Sequence, residues 1–167
     1  MEWKRFFRHL FATRAALHRA FPNAALSAIE AAIAQSERRH SGEIRVAIEA
    51  SLEPVEALRG RSPRDRALQV FAELGVWDTA ANNGVLIYVL LADHDVEVVA
   101  DRGYNGSVSS GEWANICRAM ESSFGGGLFE QGMLDGVGRV GDLMAEYFPA
   151  GPGSRNSDEL PNRPAIL

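Results

Sequence analysis

Oxygen-bearing side chains are concentrated around one stretch of the chain, residues 82 to 106, NNGVLIYVLLADHDVEVVADRGYNG. Asn82 and Asn83 precede the longest apolar run, Asp101 follows the next run, and Asp78 lies just upstream. Carboxylate, amide and main-chain oxygens are the ligands that Ca²⁺ and Mg²⁺ accept. If the fold brings these four residues together, they can form a weak divalent-cation site. The alternative is that they only shape turns and cap a neighbouring helix.

The two apolar runs predict how these residues meet. The first, from Gly84 to Leu91, is typical of a strand buried on both faces. The second begins at Val96, too soon for the crossover that parallel pairing needs, so an antiparallel hairpin is expected. Pairing of Leu91 with Val96 would place Asp101 beside Leu86. We name the resulting edge of the sheet the hairpin mouth and define it by five residues: Asp78, Asn82, Asn83, Asp101 and Arg102.

Catalytic alternatives are less well supported by the sequence. A metal-assisted phosphatase could use a cation at Asp78 and Asp101 to activate water, with Arg102 holding the phosphoryl oxygens. No general base with a supporting partner is identifiable, however, and the G-x-S-x-G and phosphate-loop motifs are absent. No catalytic residue is assigned. At the other end of the hairpin, Asp93 and Asp95 form a turn that could also hold a cation.

Composition predicts one soluble domain. The chain has 167 residues, 46% of them hydrophobic, and a single cysteine, which excludes an internal disulfide. Of the formal charge of -5, residues 1 to 21 contribute about +4, so the remainder carries about -9. An acidic body argues against nucleic acid as a partner. We expect a cytoplasmic protein, peripheral at the inner membrane.

The basic part of the chain is an N-terminal arm, residues 1 to 21, predicted to form an amphipathic helix from Glu2 to Ala20. This helix is expected to bind an anionic membrane surface or a membrane-associated protein. The alternative is that it packs on its own domain with its arginines in solvent. The residues expected to make the contact are Trp3, Lys4, Arg5, Phe6, Phe7, Arg8, Leu10 and Phe11.

Periodicity predicts the remaining elements. A helix begins near Asn23, and a half-buried strand spans Glu43 to Glu49. Residues 50 to 61 are expected to be a loop, and Ser62 is expected to cap a third helix that leads to the hairpin. Two helices follow residue 106, the first capped by Ser109. The resulting fold class is a three-layer α/β/α domain, in which a βαβ unit and a hairpin form a small mixed sheet between helices. Residues 150 to 167 are predicted to be disordered.

Several of these motifs together resemble the TPM domain, a family of thylakoid acid-phosphatase-like proteins and bacterial relatives. The resemblance covers roughly residues 23 to 148. It rests on SGEIRVAIE, on the spacing of Trp77 from Asn83-Gly84, on the glycine-tyrosine turn at Gly103-Tyr104, and on FGGGLFEQGMLDGVG. The chain therefore divides into the arm (1–21), a TPM-like α/β domain (22–149) and a tail (150–167).

The resemblance implies weak Ca²⁺ or Mg²⁺ binding and a role in assembly or maintenance of a membrane complex, with a membrane-bound TPM relative or another membrane-associated protein as partner. A weak acid phosphatase activity is the alternative that the family implies. This chain has Asn82-Asn83-Gly84 where the family usually has Asp-Asn-Gly, and Gly103-Tyr104-Asn105 where it usually has Gly-Tyr-Gly. The loss of one carboxylate argues against tight cation binding and against catalysis.

Overall fold

A computed structural model describes residues 2–151 and 159–167. Among these residues no helix is long and apolar enough to cross a membrane. The helices and strands follow in chain order: α1 (Glu2–Phe11), α2 (Arg14–Ala20), α3 (Asn23–Ser36), β1 (Glu43–Glu49), α4 (Pro54–Leu58), α5 (Pro63–Glu73), β2 (Gly84–Leu90), β3 (Asp95–Ala100), α6 (Ser110–Gly125), α7 (Phe129–Tyr147) and β4 (Ala165–Ile166). Short 3₁₀ turns follow β2 at Leu91–Asp93 and β3 at Arg102–Tyr104.

The four strands form one mixed sheet in the order β3-β2-β1-β4. β1 pairs in parallel with β2, and β2 pairs antiparallel with β3. The predicted βαβ unit and hairpin are therefore both confirmed.

Helices cover both faces of the sheet. One core joins α2, α3, α6 and α7 to the side chains of one sheet face, including Ile44, Val46 and Ile48. The other core joins α4 and α5 to the opposite face, including Ala47 and Tyr88. This arrangement is the predicted three-layer α/β fold, which the structure confirms.

The first strand differs from its prediction. All seven residues of β1 are buried, although the alternation from Glu43 to Glu49 predicted a half-exposed strand. β1 is central in the sheet and has helices on both faces, so its polar side chains need partners inside the protein. Glu49 accepts two hydrogen bonds from Arg66, and Arg45 donates to the carbonyl oxygen of Pro161.

The predicted hairpin register was wrong by two residues. Leu90 pairs with Asp95, and the main-chain N–H of Asp101 donates to the carbonyl oxygen of Gly84 rather than lying beside Leu86. The cause is local. The chain leaves β2 in a 3₁₀ turn, and His94 adopts a left-handed conformation with φ of 54°, so the chain reverses direction one residue earlier than predicted. Because side chains alternate with a period of two, the shift preserves which strand residues face each core.

Two helical details also differ from the predictions. The single helix expected from Glu2 to Ala20 is broken, because the hydroxyl of Thr13 accepts a hydrogen bond from the N–H of Ala16 and starts a new helix. The expected loop at 50–61 contains α4. The predicted caps are confirmed: Ser62 caps α5, and Ser109 forms a capping box with Glu112.

The predicted disorder of residues 150–167 was wrong for the described part of that segment after residue 158. β4 pairs in parallel with β1, and the N–H of Leu167 donates to the carbonyl oxygen of Ile48. Leu160 is buried in the second core. The sequence did not predict this strand, because only two residues pair and the surrounding segment is polar and rich in proline. Residues 152 to 158 of the predicted tail lie outside the described residues.

Candidate functional site

Two glycines allow the hairpin mouth to close tightly. A Cβ atom on Gly84 would overlap with the carbonyl oxygen of Val76, and a Cβ atom on Gly103 would overlap with the carbonyl oxygen of Asn82. The N–H of Gly103 donates to that same oxygen at 2.9 Å. The Asn-Gly and Gly-Tyr pairs of the sequence are thus explained by backbone segments that touch.

Asn83 is a structural residue of the mouth. Its side chain is buried, and its amide Nδ2 donates to the carbonyl oxygen of Ser41 at 3.1 Å. Its main-chain N–H donates to the buried hydroxyl of Thr79, and its carbonyl oxygen accepts from the hydroxyl of Tyr104. These bonds connect the start of β2 to the loop between α3 and β1 and to the 3₁₀ turn after β3.

Asn82, Asp101 and Arg102 form the outer part of the mouth. The guanidinium Nε of Arg102 donates to Oδ1 of Asn82 at 2.9 Å, and Oδ1 of Asp101 accepts from the main-chain N–H of Arg102 at 2.7 Å. Asn82 has a positive φ of 52°, a conformation that asparagine tolerates better than most residues. The second oxygen of Asp101, Oδ2, is buried and has no hydrogen-bond partner among the described residues.

The fit of this set to a divalent cation is partial. Oδ2 of Asp101 is a buried oxygen with no hydrogen-bond partner in the part of the chain that the structure describes, which suits a cation. Oδ1 of Asn82 is already bound by the cationic Arg102, and the exposed carboxylate of Asp78 enters none of the hydrogen bonds of the mouth. Within the described ranges, no group of three or more His, Cys, Asp or Glu residues is placed to hold a metal ion. These residues therefore suit a weak cation site rather than a tight one.

The opposite end of the hairpin carries a denser charged cluster. Asp93 Oδ2 accepts from Nε of Arg5 at 2.8 Å, and its Oδ1 accepts from Nη2 of Arg8 at 2.8 Å. Nε2 of His9 lies 3.2 Å from Oδ2 of Asp93, and Nδ1 of His9 accepts from the N–H of Leu52 at 3.0 Å. Asp93, a candidate cation ligand by its place in the hairpin turn, instead holds the N-terminal arm on the domain.

Burial and charge set the ionisation of this cluster. Burial lowers the pKa of His9 and outweighs the opposing effect of Asp93, which raises it. For Asp93, burial raises the pKa, but the hydrogen bond from Arg5 and the nearby charges of His9 and Arg5 outweigh burial and lower the pKa overall. Burial, with Glu97 and Glu121 nearby, raises the pKa of the neighbouring Asp95 to about 6.

The arm packs with its polar side inward and its aromatic side outward. α1 contacts α4 and the 3₁₀ turn after β2, which agrees with the alternative that the helix packs on its own domain. The side chains at i, i+4, i+7 and i+8 remain exposed: Trp3 (64%), Phe7 (49%), Leu10 (49%) and Phe11 (72%). Phe6 is half-buried and its ring contacts those of Trp3 and Phe7, while the side chain of Lys4 lies outside the described residues.

This orientation was missed because its cause lies far away in the sequence. Arg5 and Arg8 were expected in solvent or on a membrane, yet both pair with Asp93, more than 80 residues later. The helical spacing of Arg5 and His9, four residues apart, was the available signal that these two side chains share a face. Nothing in the local pattern identified the acid that they meet.

Comparison with known proteins now places the chain. Residues 18–143 match the family model of the TPM domain. No curated protein matches. Among solved structures, the NMR structure of BA42 protein from the psychrophilic bacterium Bizionia argentinensis is similar with a TM-score of 0.74 and 36% identity, covering 86% of this chain and 93% of that one. The matched region starts inside α2, so α1 lies before it. The match covers most of the chain, and the protein belongs to the TPM domain family.

Proposed function

We propose that this protein is an accessory TPM domain, without catalysis of its own, that attaches to an anionic membrane surface and there meets a membrane-associated partner. The observation that carries the proposal is the exposed aromatic face of α1, defined by Trp3, Phe7, Leu10 and Phe11. Four large apolar side chains on one short helix are a contiguous apolar surface, which soluble proteins usually bury or use for association.

The position of the arginines determines how such attachment would work. Arg5 and Arg8 are held by Asp93, so they hold the helix on the domain and contribute little free positive charge. Arg14 and Arg19 on α2 are exposed and remain available for anionic headgroups. Each basic residue near an anionic surface contributes about 1 kcal/mol, a part that salt weakens, whereas insertion of the aromatic face resists salt.

Vesicle sedimentation over a range of salt tests this proposal. The full chain should sediment with vesicles of phosphatidylglycerol and phosphatidylcholine, more weakly with phosphatidylcholine alone. A reduced but measurable fraction should remain bound at about 0.5 M salt, because the Debye length there is only a few ångströms and charge attraction is largely screened. Absence of binding to the anionic vesicles at low salt would contradict the proposal and would favour a protein partner for α1.

A second property, weak divalent-cation binding at the hairpin mouth, is favoured by the buried Oδ2 of Asp101, which none of the described residues hydrogen-bonds. A cation there would have to displace Arg102 from Asn82 to gain a second side-chain oxygen. Asn83 would stabilise the mouth rather than bind the cation, because its Nδ2 already donates to the carbonyl oxygen of Ser41. We therefore expect Ca²⁺ or Mg²⁺ affinity in the millimolar range of weak sites.

A further inference from the structure

A groove runs beside the arm, away from the hairpin mouth. It lies between α2, the 3₁₀ turn after β2 and the loop that joins α6 to α7, and its volume is about 520 Å³. That volume is in the range of small-molecule sites, roughly 300 to 1,000 Å³. Phe11, Ala16, Leu91 and Phe129 contribute apolar surface to it.

Basic residues border this apolar surface. Arg8, Arg19 and His94 also line the groove, and among its described lining residues there is no carboxylate. Arg19 is exposed, and its side chain makes no hydrogen bond or ion pair with the described part of the protein. Arg8 is paired with Asp93 through Nη2 but stays half-exposed. On a chain with net charge -5, a groove lined by two arginines and, among its described lining residues, by no acid is a local reversal of charge.

A second cavity adjoins this groove and extends its apolar surface. An adjoining cavity of about 420 Å³ shares Arg19, Gly127 and Phe129 with it and continues to the exposed Leu128. Arg19 thus lines both cavities, each of which also has apolar lining residues. The adjoining cavity is also lined by Glu130, so an anionic head fits the first cavity and not the second.

We propose that this groove binds one anionic amphiphile from solution, a single aliphatic chain with a carboxylate or phosphate head. The head pairs with Arg19, and the chain lies on Phe11, Ala16 and Phe129. Guanidinium groups bind carboxylate and phosphate through paired N–H donors, while apolar burial supplies the remaining affinity. The site is separate from the exposed face of α1, apart from Phe11 at the boundary, and it does not depend on membrane attachment.

Binding of sodium decanoate, below its micelle-forming concentration, to the full chain tests the proposal by two-dimensional NMR. Saturable shifts of the main-chain amide signals of Ala16, Ala20 and Gly127 are expected, and decyltrimethylammonium, with the same chain and a cationic head, should produce none at equal concentration. Equal response to both amphiphiles would overturn the proposal, because it would show non-specific apolar binding.

Matched substitutions on α2 separate the groove from the rest of the arm. Arg19→Gln should weaken decanoate binding about tenfold, whereas Arg14→Gln, an exposed arginine that does not line the groove, should leave it unchanged. Ala16→Phe should fill the groove and abolish binding, with Ala15→Phe as its control. Equal effects of the two arginine variants would contradict the proposal even if Ala16→Phe failed to fold.

The outcome is distinguishable from that of vesicle attachment. A Trp3→Ala/Phe7→Ala protein should bind decanoate as the natural protein does, because neither side chain lines the groove. Loss of decanoate binding in that variant would assign the amphiphile to the face of α1 and would refute the groove as its site.

Discussion

Nε of Arg5 and Oδ2 of Asp93 are 2.8 Å apart and join the first helix of the chain to the turn of the central hairpin. Both side chains are largely shielded from solvent, with Arg5 17% and Asp93 8% exposed. The same carboxylate also binds Arg8, so one acid at the tip of the hairpin orients α1. The aromatic residues of that helix face solvent because its basic residues face Asp93.

The first prediction concerns this anchor. Asp93→Ala should lower the free energy of unfolding by about 2 to 4 kcal/mol, because it leaves Arg5 without its partner in a shielded position and also removes the pair with the half-exposed Arg8. The exposed pair of Arg39 and Asp142 offers a matched control, since Asp142→Ala should cost less than about 1 kcal/mol. Urea unfolding monitored by circular dichroism measures both. Equal costs would show that the anchor contributes no more than a surface ion pair.

The second prediction concerns the close backbone contact at the mouth. Gly103→Ala should destabilise the fold by about 1 to 3 kcal/mol, because the new methyl group overlaps with the carbonyl oxygen of Asn82. Gly138→Ala in α7 should instead stabilise it by about 0.5 to 1 kcal/mol, because its Cβ would meet open space and alanine favours helix. Thermal unfolding compares the two variants. A neutral Gly103→Ala variant would contradict the contact described at the mouth.

The third prediction concerns pH. Asp95 has a folded-state pKa of about 6, above the 3.8 of an unperturbed aspartate, so the native state binds more protons than the unfolded state between pH 4 and 6. Stability attributable to Asp95 must therefore fall as pH rises through this window. Asp95→Asn should be more stable than the natural protein by about 1 kcal/mol at pH 7.5, after allowance for solvent screening, and equal to it near pH 3.5.

Denaturant titrations at several pH values check this expectation. Asp78→Asn is the control, because it makes the same change at an exposed aspartate. An Asp95→Asn profile parallel to that of the natural protein at every pH would show that Asp95 ionises normally in the fold.

The fourth prediction concerns the cation. Asp101→Asn keeps an oxygen that can accept from the N–H of Arg102 but removes the negative charge, so Ca²⁺ binding measured by titration calorimetry should be lost. Asp135→Asn, at an exposed acid on α7, should retain it. Unchanged Ca²⁺ affinity in the Asp101→Asn protein would rule out the hairpin mouth as the site.

Local patterns predicted the parts of this fold that depend on neighbours in the chain. The parallel pairing of β1 with β2, the hairpin and the caps at Ser62 and Ser109 follow from periodicity and capping chemistry. The register required the left-handed conformation of His94, which no pattern specifies. The orientation of α1 depends on the distant acid Asp93. The pairing of β4 depends on a free edge of β1, which exists only once the sheet has formed. Both are long-range consequences of packing.

The exposed aromatic face of α1 leads to the most direct measurement of the proposed function. Vesicle sedimentation of a Trp3→Ala/Phe7→Ala protein should show membrane affinity reduced by at least tenfold, because each lost ring removes about 1 kcal/mol or more of apolar burial. The matched control is Leu68→Ala/Trp77→Ala, which removes two comparably exposed apolar side chains elsewhere on the surface and should bind as the natural protein does. Equal binding of the two double variants to anionic vesicles would contradict attachment through α1.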